Sequence, residues 1–469
     1  MVYNSFNFII IFPFIFLLYY AIPAKYQKAR NLFLLVVSYS LYISWKPIYG
    51  LILLGVTIIS YYFALLIQKH RYNAKTLLFF GVIISLIPLL FFKYFNFLNE
   101  TIADVLSFIG FRTQLVGLNW AIPVGISFFT FQALSYLWDV YYKKVDAEHN
   151  FHLYALYLSF FPSILSGPIN RATLIIPQLK NLRPFFDYTK AVDGLKMLLW
   201  GMFMKVVVAD RAGQYVDMIF PSYASYSGLT CFVASVVYSI QIYADFAGYS
   251  LMAIGVGKTL GFELAENFRR PYFADSVTDF WKRWHISLSS WLKDYIYIPL
   301  GGSHCSKFRN YANIFITFLV SGIWHGANWT FIVWGVMHGV FQIFERVIGQ
   351  TKRDYGVIGK SIKIIITFIL VNFAWIFFRK PTLTDACGMI SRIFDMSQPF
   401  VIEERPHTAA IVFILILITK DILDEYFPQH QSLFNNKHLL IRWFTYIFIF
   451  IMILLEGVLG EQNFIYQNF

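Results

Sequence analysis

A chain of 469 residues that is 58% hydrophobic, 20% aromatic and only 14% charged, with a mean hydropathy of +0.57, has too little polar surface to cover a water-soluble globule of its size; soluble domains carry roughly 25% charged residues. The net charge of +12 does not indicate nucleic acid, because the basic residues are scattered through short loops and form no basic domain. Three distant cysteines (Cys231, Cys305, Cys387), with no CxxC or Cys/His ligand spacing, argue against a disulfide framework or a structural zinc, so no metal is expected.

The first apolar run, Phe8–Tyr20, lacks the Lys/Arg segment that precedes a cleaved signal peptide, and is expected to be a retained span. Leu32–Trp45, Ile48–Ile67 and Leu77–Phe92 follow as further spans, so that residues 1–100 read as hairpins of spanning helices. Their linkers alternate in charge. Lys25, Lys28 and Arg30 occupy the first, Lys69, Arg71 and Lys75 the third, and the turn between them carries only Lys46. The positive-inside rule puts both basic linkers in the cytoplasm and the N-terminus outside. Residues 93–121 read as a more polar connection with a short amphipathic stretch, Ile102–Phe111.

Between about residues 160 and 340, Gly167-Pro168, Pro271, Pro299-Leu-Gly-Gly302 and Gly322 interrupt apolar sequence. Backbone groups freed inside lipid must be satisfied by protein or by a watery cavity, so broken segments there point to a buried cavity. Residues 179–190 are a polar loop, and 381–407 form the longest polar connection towards the C-terminal end, between the apolar runs Ile362–Phe378 and Ile411–Ile418; Trp443–Leu455 is the last run. The expected fold is an all-α polytopic integral membrane protein of roughly 11 spans plus re-entrant helices. It forms a single domain, with a core at 160–345 and C-terminal spans at 361–469.

Two histidines 40 residues apart carry most of the chemical information. They lie in Trp281-Lys-Arg-Trp-His-Ile-Ser-Leu-Ser-Ser-Trp291 and in Ser321-Gly-Ile-Trp-His-Gly-Ala-Asn-Trp329. An ionisable group in lipid is costly unless it has a partner or a task. Ser276-Val-Thr-Asp279 reads as a helix start. The helix that follows would run towards Pro299, with His285, Leu288, Leu292 and Tyr295 on one stripe. In the second segment, Gly322, Gly326 and Ala327 let another backbone or a ligand come close to His325. A neutral imidazole in a buried polar cavity can take a proton from a hydroxyl and pass it on. The plainer reading of His325 is a structural histidine bonded across helices, and that of the tryptophans around His285 is anchoring at the membrane interface. His338, taken as continuing the helix of His325, lies about 220° round from it and is read as structural. Asp245 needs a partner, such as Arg269, Arg270 or a histidine.

At these residues the chain resembles the membrane-bound O-acyltransferase family and, within it, the bacterial branch of the alginate O-acetyltransferase membrane subunit. The resemblance is densest in Tyr243-Ala-Asp-Phe-Ala-Gly-Tyr-Ser250, Glu266-Asn-Phe-Arg-Arg-Pro-Tyr272, Asp279 through Gly302, and Trp324-His-Gly-Ala-Asn-Trp329; Phe160-Phe-Pro162 and Gly167-Pro168-Ile169 are also similar. It implies a ring of helices around a central tunnel, with His325 and His285 as the catalytic pair. Trp284, Trp324, Asn328, Lys282, Arg283, Asp294 and Tyr295 are the candidate substrate-binding residues. It further implies no bound cofactor, acetyl-CoA as acyl donor, a polysaccharide acceptor, an inner-membrane location and an SGNH-type acetyltransferase partner. The tail Phe464-Ile-Tyr-Gln-Asn-Phe469 and the loop Ser303-His-Cys-Ser-Lys307 depart from the branch's usual pattern.

The leading reading is a membrane O-acetyltransferase acting on an extracytoplasmic polysaccharide, alginate-like or peptidoglycan. Lys282 and Arg283 are placed to attract the donor's phosphates, with snorkelling to the membrane surface as the equal alternative. D-alanyl transfer to an envelope polymer, a non-catalytic transporter or flippase, and a membrane scaffold stay open beside it. Buried His and Asp in broken helices also mark transporters, but the chain shows no evident two-fold repeat.

Overall fold

A computed structural model describes residues 3, 5–111, 117, 120–164, 167–181, 186–349, 356–395, 397, 399–427 and 433–458, and among them no β-strand occurs. The chain forms two compact units, residues 1–194 with 256–265, and residues 195–255 with 266–469. Five of the described helices are long and apolar enough to cross a membrane, or six with one bent pair counted as a single span. The protein is therefore a multi-pass, all-α membrane protein.

The first unit opens with α1 (Phe6–Ala21), α2 (Gln27–Ile43), α3 (Pro47–Lys69) and α4 (Ala74–Phe108). Ser5 caps α1 by accepting from the Phe8 amide, and Pro47 occupies the first turn of α3, where a missing N–H costs nothing. The chain bends by 104° between α1 and α2. Arg30 braces that bend, donating from Nε to the Ile22 carbonyl at 2.8 Å and lying over the Tyr19 ring at 5.1 Å. Helix α4 corrects the sequence reading. It continues through the supposed polar connection at 93–108, because the amphipathic stretch keeps helical periodicity and no residue there breaks it; even Pro88 sits inside the helix.

Helix α5 (Ile126–Tyr141) is buried along almost its whole length. It is followed by three short pieces, α6 (Phe151–Ser159), α7 (Phe161–Ile164) and α8 (Ala172–Lys180). One break falls at Gly167-Pro168, where the sequence placed it, another falls at Phe160, and the backbone beside it finds partners. Tyr3 Oη donates to the Phe161 and Pro162 carbonyls at 3.0 and 2.8 Å, and the Phe161 amide donates to Ser38 Oγ at 3.1 Å.

The chain enters the second unit within α9 (Tyr188–Met202), which passes through a π-helical segment (Phe203–Ala209) into α10 (Asp210–Ile219). After α11 (Gly228–Thr259) come the short helices α12 (Val277–Arg283) and α13 (Ile286–Leu292), then a second π-helical segment, Lys293–Tyr297. Helices α14 (Lys307–His325) and α15 (Trp329–Val347) form a tight hairpin. A Cβ on Gly322 would strike the Phe331 carbonyl and one on Gly335 the Phe318 carbonyl, so the two backbones touch. The chain then runs through α16 (Gly356–Arg379), α17 (Leu383–Ile393), α18 (Thr408–Tyr426) and α19 (Leu439–Glu456). Helix α17 is a second correction: the 381–407 connection contains a capped amphipathic helix, with Thr382 Oγ1 accepting from the Asp385 amide at 3.0 Å. The C-terminal hexapeptide noted above lies outside the described residues.

Candidate active site

Ser276 starts α12 as expected, its hydroxyl accepting from the Asp279 amide at 3.1 Å. The helix then stops at Arg283, seven residues after that cap, and the expected continuous helix is in fact two. His285 takes φ +44°, a left-handed conformation rare for a residue with a Cβ, and stands just ahead of α13. It is fully buried.

What holds that turn is Asn267, in the extended stretch after α11. The Asn267 carbonyl accepts from the Ile286 amide at 2.9 Å, and the Arg269 amide donates to the Arg283 carbonyl at 2.9 Å. The Asn267 side chain donates from Nδ2 to Ser250 Oγ at 2.9 Å. Its Oδ1 accepts from the Ser287 amide at 3.3 Å and the Ser287 hydroxyl at 2.9 Å, and lies 3.0 Å from His285 Nδ1. Because a backbone N–H fixes Oδ1 as an acceptor, Nδ1 of His285 must carry the proton. A neutral His285 therefore presents its basic lone pair at Nε2. Its other face packs edge-on to Phe246 at 4.7 Å.

His325 is built differently. It is the last residue of α14, 2% exposed, in a cage of rings: Trp324 at 4.8 Å, Trp334 at 4.7 Å and Phe378 at 5.3 Å, all edge-to-face. Helix α14 ends there because Gly326 turns to extended backbone and Asn328 caps α15, accepting from the Thr330 amide at 3.0 Å. Trp324 joins the two centres, its ring 6.0 Å from that of His285 and 4.8 Å from that of His325. Residues far apart in sequence thus meet at one buried place.

The other candidates divide. Trp284 is buried, stacked on Phe280 at 5.5 Å and tilted against Trp375 at 4.9 Å. Asn328 also donates to the Pro381 carbonyl at 2.8 Å, so both ends of its amide are engaged in the fold. Asp294 and Tyr295 lie in the π-helical segment after α13, with Tyr295 packed on Trp291 at 5.1 Å. Lys282 and Arg283 line a cavity of about 870 Å³ whose walls include neither histidine. Lys307, Arg346, Lys360 and Lys363 also line it, against Asp275 and Asp279. Arg283 is already paired, with Asp279 at 2.7 Å and Glu425 at 2.8 Å.

For Asp245 the structure shows a partner outside the expected set of Arg269, Arg270 or a histidine. Its partner is Lys205, in the first π-helical segment, whose ammonium lies 2.6 Å from both Asp245 and Asp210 and 5.5 Å from the Tyr249 ring. The position of His338 is also corrected. The wheel that turned it away from His325 assumed one helix, but α14 ends at His325, and the two rings share a neighbour in Trp334, 4.7 and 4.9 Å from each. Asn267 and Trp334 are the site residues that sequence reasoning passed over. Asn267 had a signal in Glu266-Asn-Phe-Arg-Arg-Pro-Tyr272, whereas Trp334 sits in an apolar run without one.

The membrane-bound O-acyltransferase family matches residues 141–383. The probable alginate O-acetylase AlgI of Pseudomonas aeruginosa is 37% identical over 398 residues, 84% of this chain and 75% of that protein. The peptidoglycan O-acetyltransferase of Helicobacter pylori is 34% identical over 395 residues, 78% of this chain and 74% of its own. The teichoic acid D-alanyltransferase of Bacillus subtilis is 26% identical over 401 residues, 81% of this chain and 98% of its own. The chain belongs to the membrane-bound O-acyltransferase family and is an O-acyltransferase.

Proposed function

We propose that this O-acyltransferase moves an acetyl group from acetyl-CoA, on the cytoplasmic side of a bacterial inner membrane, to a hydroxyl of an extracytoplasmic polysaccharide, alginate-like or peptidoglycan. The observation that carries the reading is the meeting of His285 and His325 on either side of Trp324. The acetylating relatives support the acyl group and the acceptor class. In this reading roughly 11 passages surround a tunnel, and an SGNH-type partner completes transfer to the sugar.

The donor's phosphates are assigned to the basic cavity, where Lys282, Lys307, Lys360 and Lys363 offer ammonium groups. The thioester reaches towards the histidines. His325 takes the proton of the attacking hydroxyl, which adds to the thioester carbonyl; the thiolate leaves and recovers the proton. A variant of the same chemistry has His325 carry the acetyl group transiently. His285, with Nδ1–H committed to Asn267, offers Nε2 as an acceptor and orients the hydroxyl. Once protonated at Nε2, it can stabilise negative charge on the carbonyl oxygen.

The test supplies membranes carrying the protein and its partner with radiolabelled acetyl-CoA and follows label into base-labile ester on polysaccharide. Label in ester is the expected result. A second reading, D-alanyl transfer, is favoured by the teichoic acid relative; ester-linked D-alanine without acetate would replace the first reading with it. Intact acetyl-CoA and no ester of either kind would favour transport.

A further inference from the structure

Helix α15 turns one stripe towards both histidine-bearing segments. Trp334, His338 and Glu345 are spaced by four and seven residues, which puts them on one face, and all three are buried. Trp334 meets His325 at 4.7 Å. One turn on, His338 Nδ1 accepts from the indole N–H of Trp281 at 3.2 Å. Two turns further, the Glu345 carboxylate accepts from the Val277 amide, the Thr278 amide at 3.0 Å and the Thr278 hydroxyl at 2.9 Å.

We propose that His338 and Glu345 are positioning residues that hold the Trp284–His285 turn at a set place relative to His325. The proposal rests on reading the two histidines as the reaction centre. Helix α12 has seven residues, too few for its internal hydrogen bonds to hold an orientation of their own. Glu345 ties its first turn and His338 ties Trp281, one turn later, so α12 can neither slide nor roll against α15. Its end leads directly to Trp284, which stacks on Phe280 of α12 with rings 17° apart, and then to His285.

The choice of histidine at 338 supports this. The ring lies among Phe280, Trp281, Phe318, Trp334, Phe341 and Trp375, where packing alone asks for an apolar side chain. What an apolar residue lacks is a lone pair for the buried Trp281 N–H. With Nδ1 accepting, the proton of neutral His338 sits on Nε2, which finds no hydrogen-bond partner among the described residues. Such a ring cannot take a substrate proton at Nδ1 without releasing Trp281. It sets geometry, in contrast to His285, whose protonated nitrogen is Nδ1.

The experiment measures kcat and KM for acetyl transfer from acetyl-CoA in membranes matched for protein content. It compares His338→Leu, His338→Asn, Trp281→Phe, the Trp281→Phe/His338→Leu double variant, and His325→Ala. Leucine removes the acceptor, and kcat should fall about ten-fold or more with KM unchanged, because the reacting groups are displaced rather than the donor site. Asparagine returns an acceptor near Nδ1 and should stay within about three-fold of wild type. The double variant should be no worse than the weaker single one, since both remove the same bond. Wild-type kcat in His338→Leu or Trp281→Phe, an asparagine variant as slow as leucine, or a change confined to KM overturns the proposal. If His338→Leu does not accumulate, Trp281→Phe reads the same bond from its other side. An active His325→Ala would overturn the reading of the site itself, whereas an inactive His325→Ala beside a fully active His338→Leu would sink the positioning role alone.

Discussion

The two Trp-His pairs are written almost alike and built in opposite ways. Trp284-His285 breaks a helix, and His285 sits in a left-handed turn fixed by hydrogen bonds that Asn267 accepts from His285, Ile286 and Ser287. Trp324-His325 ends a helix, and His325 sits among the rings of Trp324, Trp334 and Phe378. A hydrogen-bonded ring has its tautomer set before substrate arrives. A ring caged by aromatic edges has its position set by packing. The difference matches the proposed division of roles, with His285 orienting and His325 transferring the proton, and each half of that contrast can be broken separately.

The largest expected effect is on the aromatic side. His325→Ala or His325→Gln should lower acyl transfer by about 10³-fold, the scale of a lost general base, with membrane protein levels unchanged. A His285 variant with an equal loss would erase the distinction of roles. Next comes the polar side. Asn267→Ala leaves His285 in place but frees its tautomer and the Ser287 amide, so kcat should fall by about ten- to a hundred-fold with KM for the donor unchanged. Full activity in that variant would mean that the hydrogen bond to His285 does not prepare it.

Behind the polar side lies Asp245, next to the Phe246 ring that packs on His285. Lys205→Met strips the cation from two buried carboxylates and should destabilise the second unit by about 3–5 kcal/mol. The readout is a lower thermal denaturation midpoint in detergent. Lys205→Met/Asp210→Asn/Asp245→Asn removes the unpaired charge and should recover most of the loss; an unchanged midpoint in Lys205→Met would show that the ion cluster is dispensable. The smallest effect belongs to the basic cavity, away from both rings. Lys282→Glu and Lys307→Glu should each raise KM for acetyl-CoA about five-fold or less, with kcat unchanged and the effect shrinking at high salt. A fall in kcat without a change in KM would remove the donor's phosphates from that cavity.

Much of this was legible in the residues. Apolar runs mark the long helices because a lipid-crossing stretch has to be long and apolar, and the break at Gly167-Pro168 is visible because a Gly-Pro pair disfavours helix continuation. The Trp-His segments stand out because ionisable residues are scarce in such sequence. The helix break at His285 was not legible, since neither Gly nor Pro occurs there and the left-handed turn is imposed by Asn267, 18 residues earlier. The polar composition of 93–108 hid the rest of α4, because helical periodicity outweighs modest polarity. The Lys205–Asp245 pair joins helices distant in sequence, and no local pattern announces it. His338 was misplaced by carrying one helical wheel across Gly326-Ala-Asn328, where the backbone leaves the helix.

The most direct test of the account is base-releasable acetate on surface and cell-wall polysaccharide, compared between wild type, a deletion of the protein, and His325→Ala at equal membrane abundance. The account predicts that acetate disappears from one polysaccharide fraction in both the deletion and His325→Ala. Acetate lost in the deletion but retained in His325→Ala would contradict it, leaving His325 without a part in the transfer.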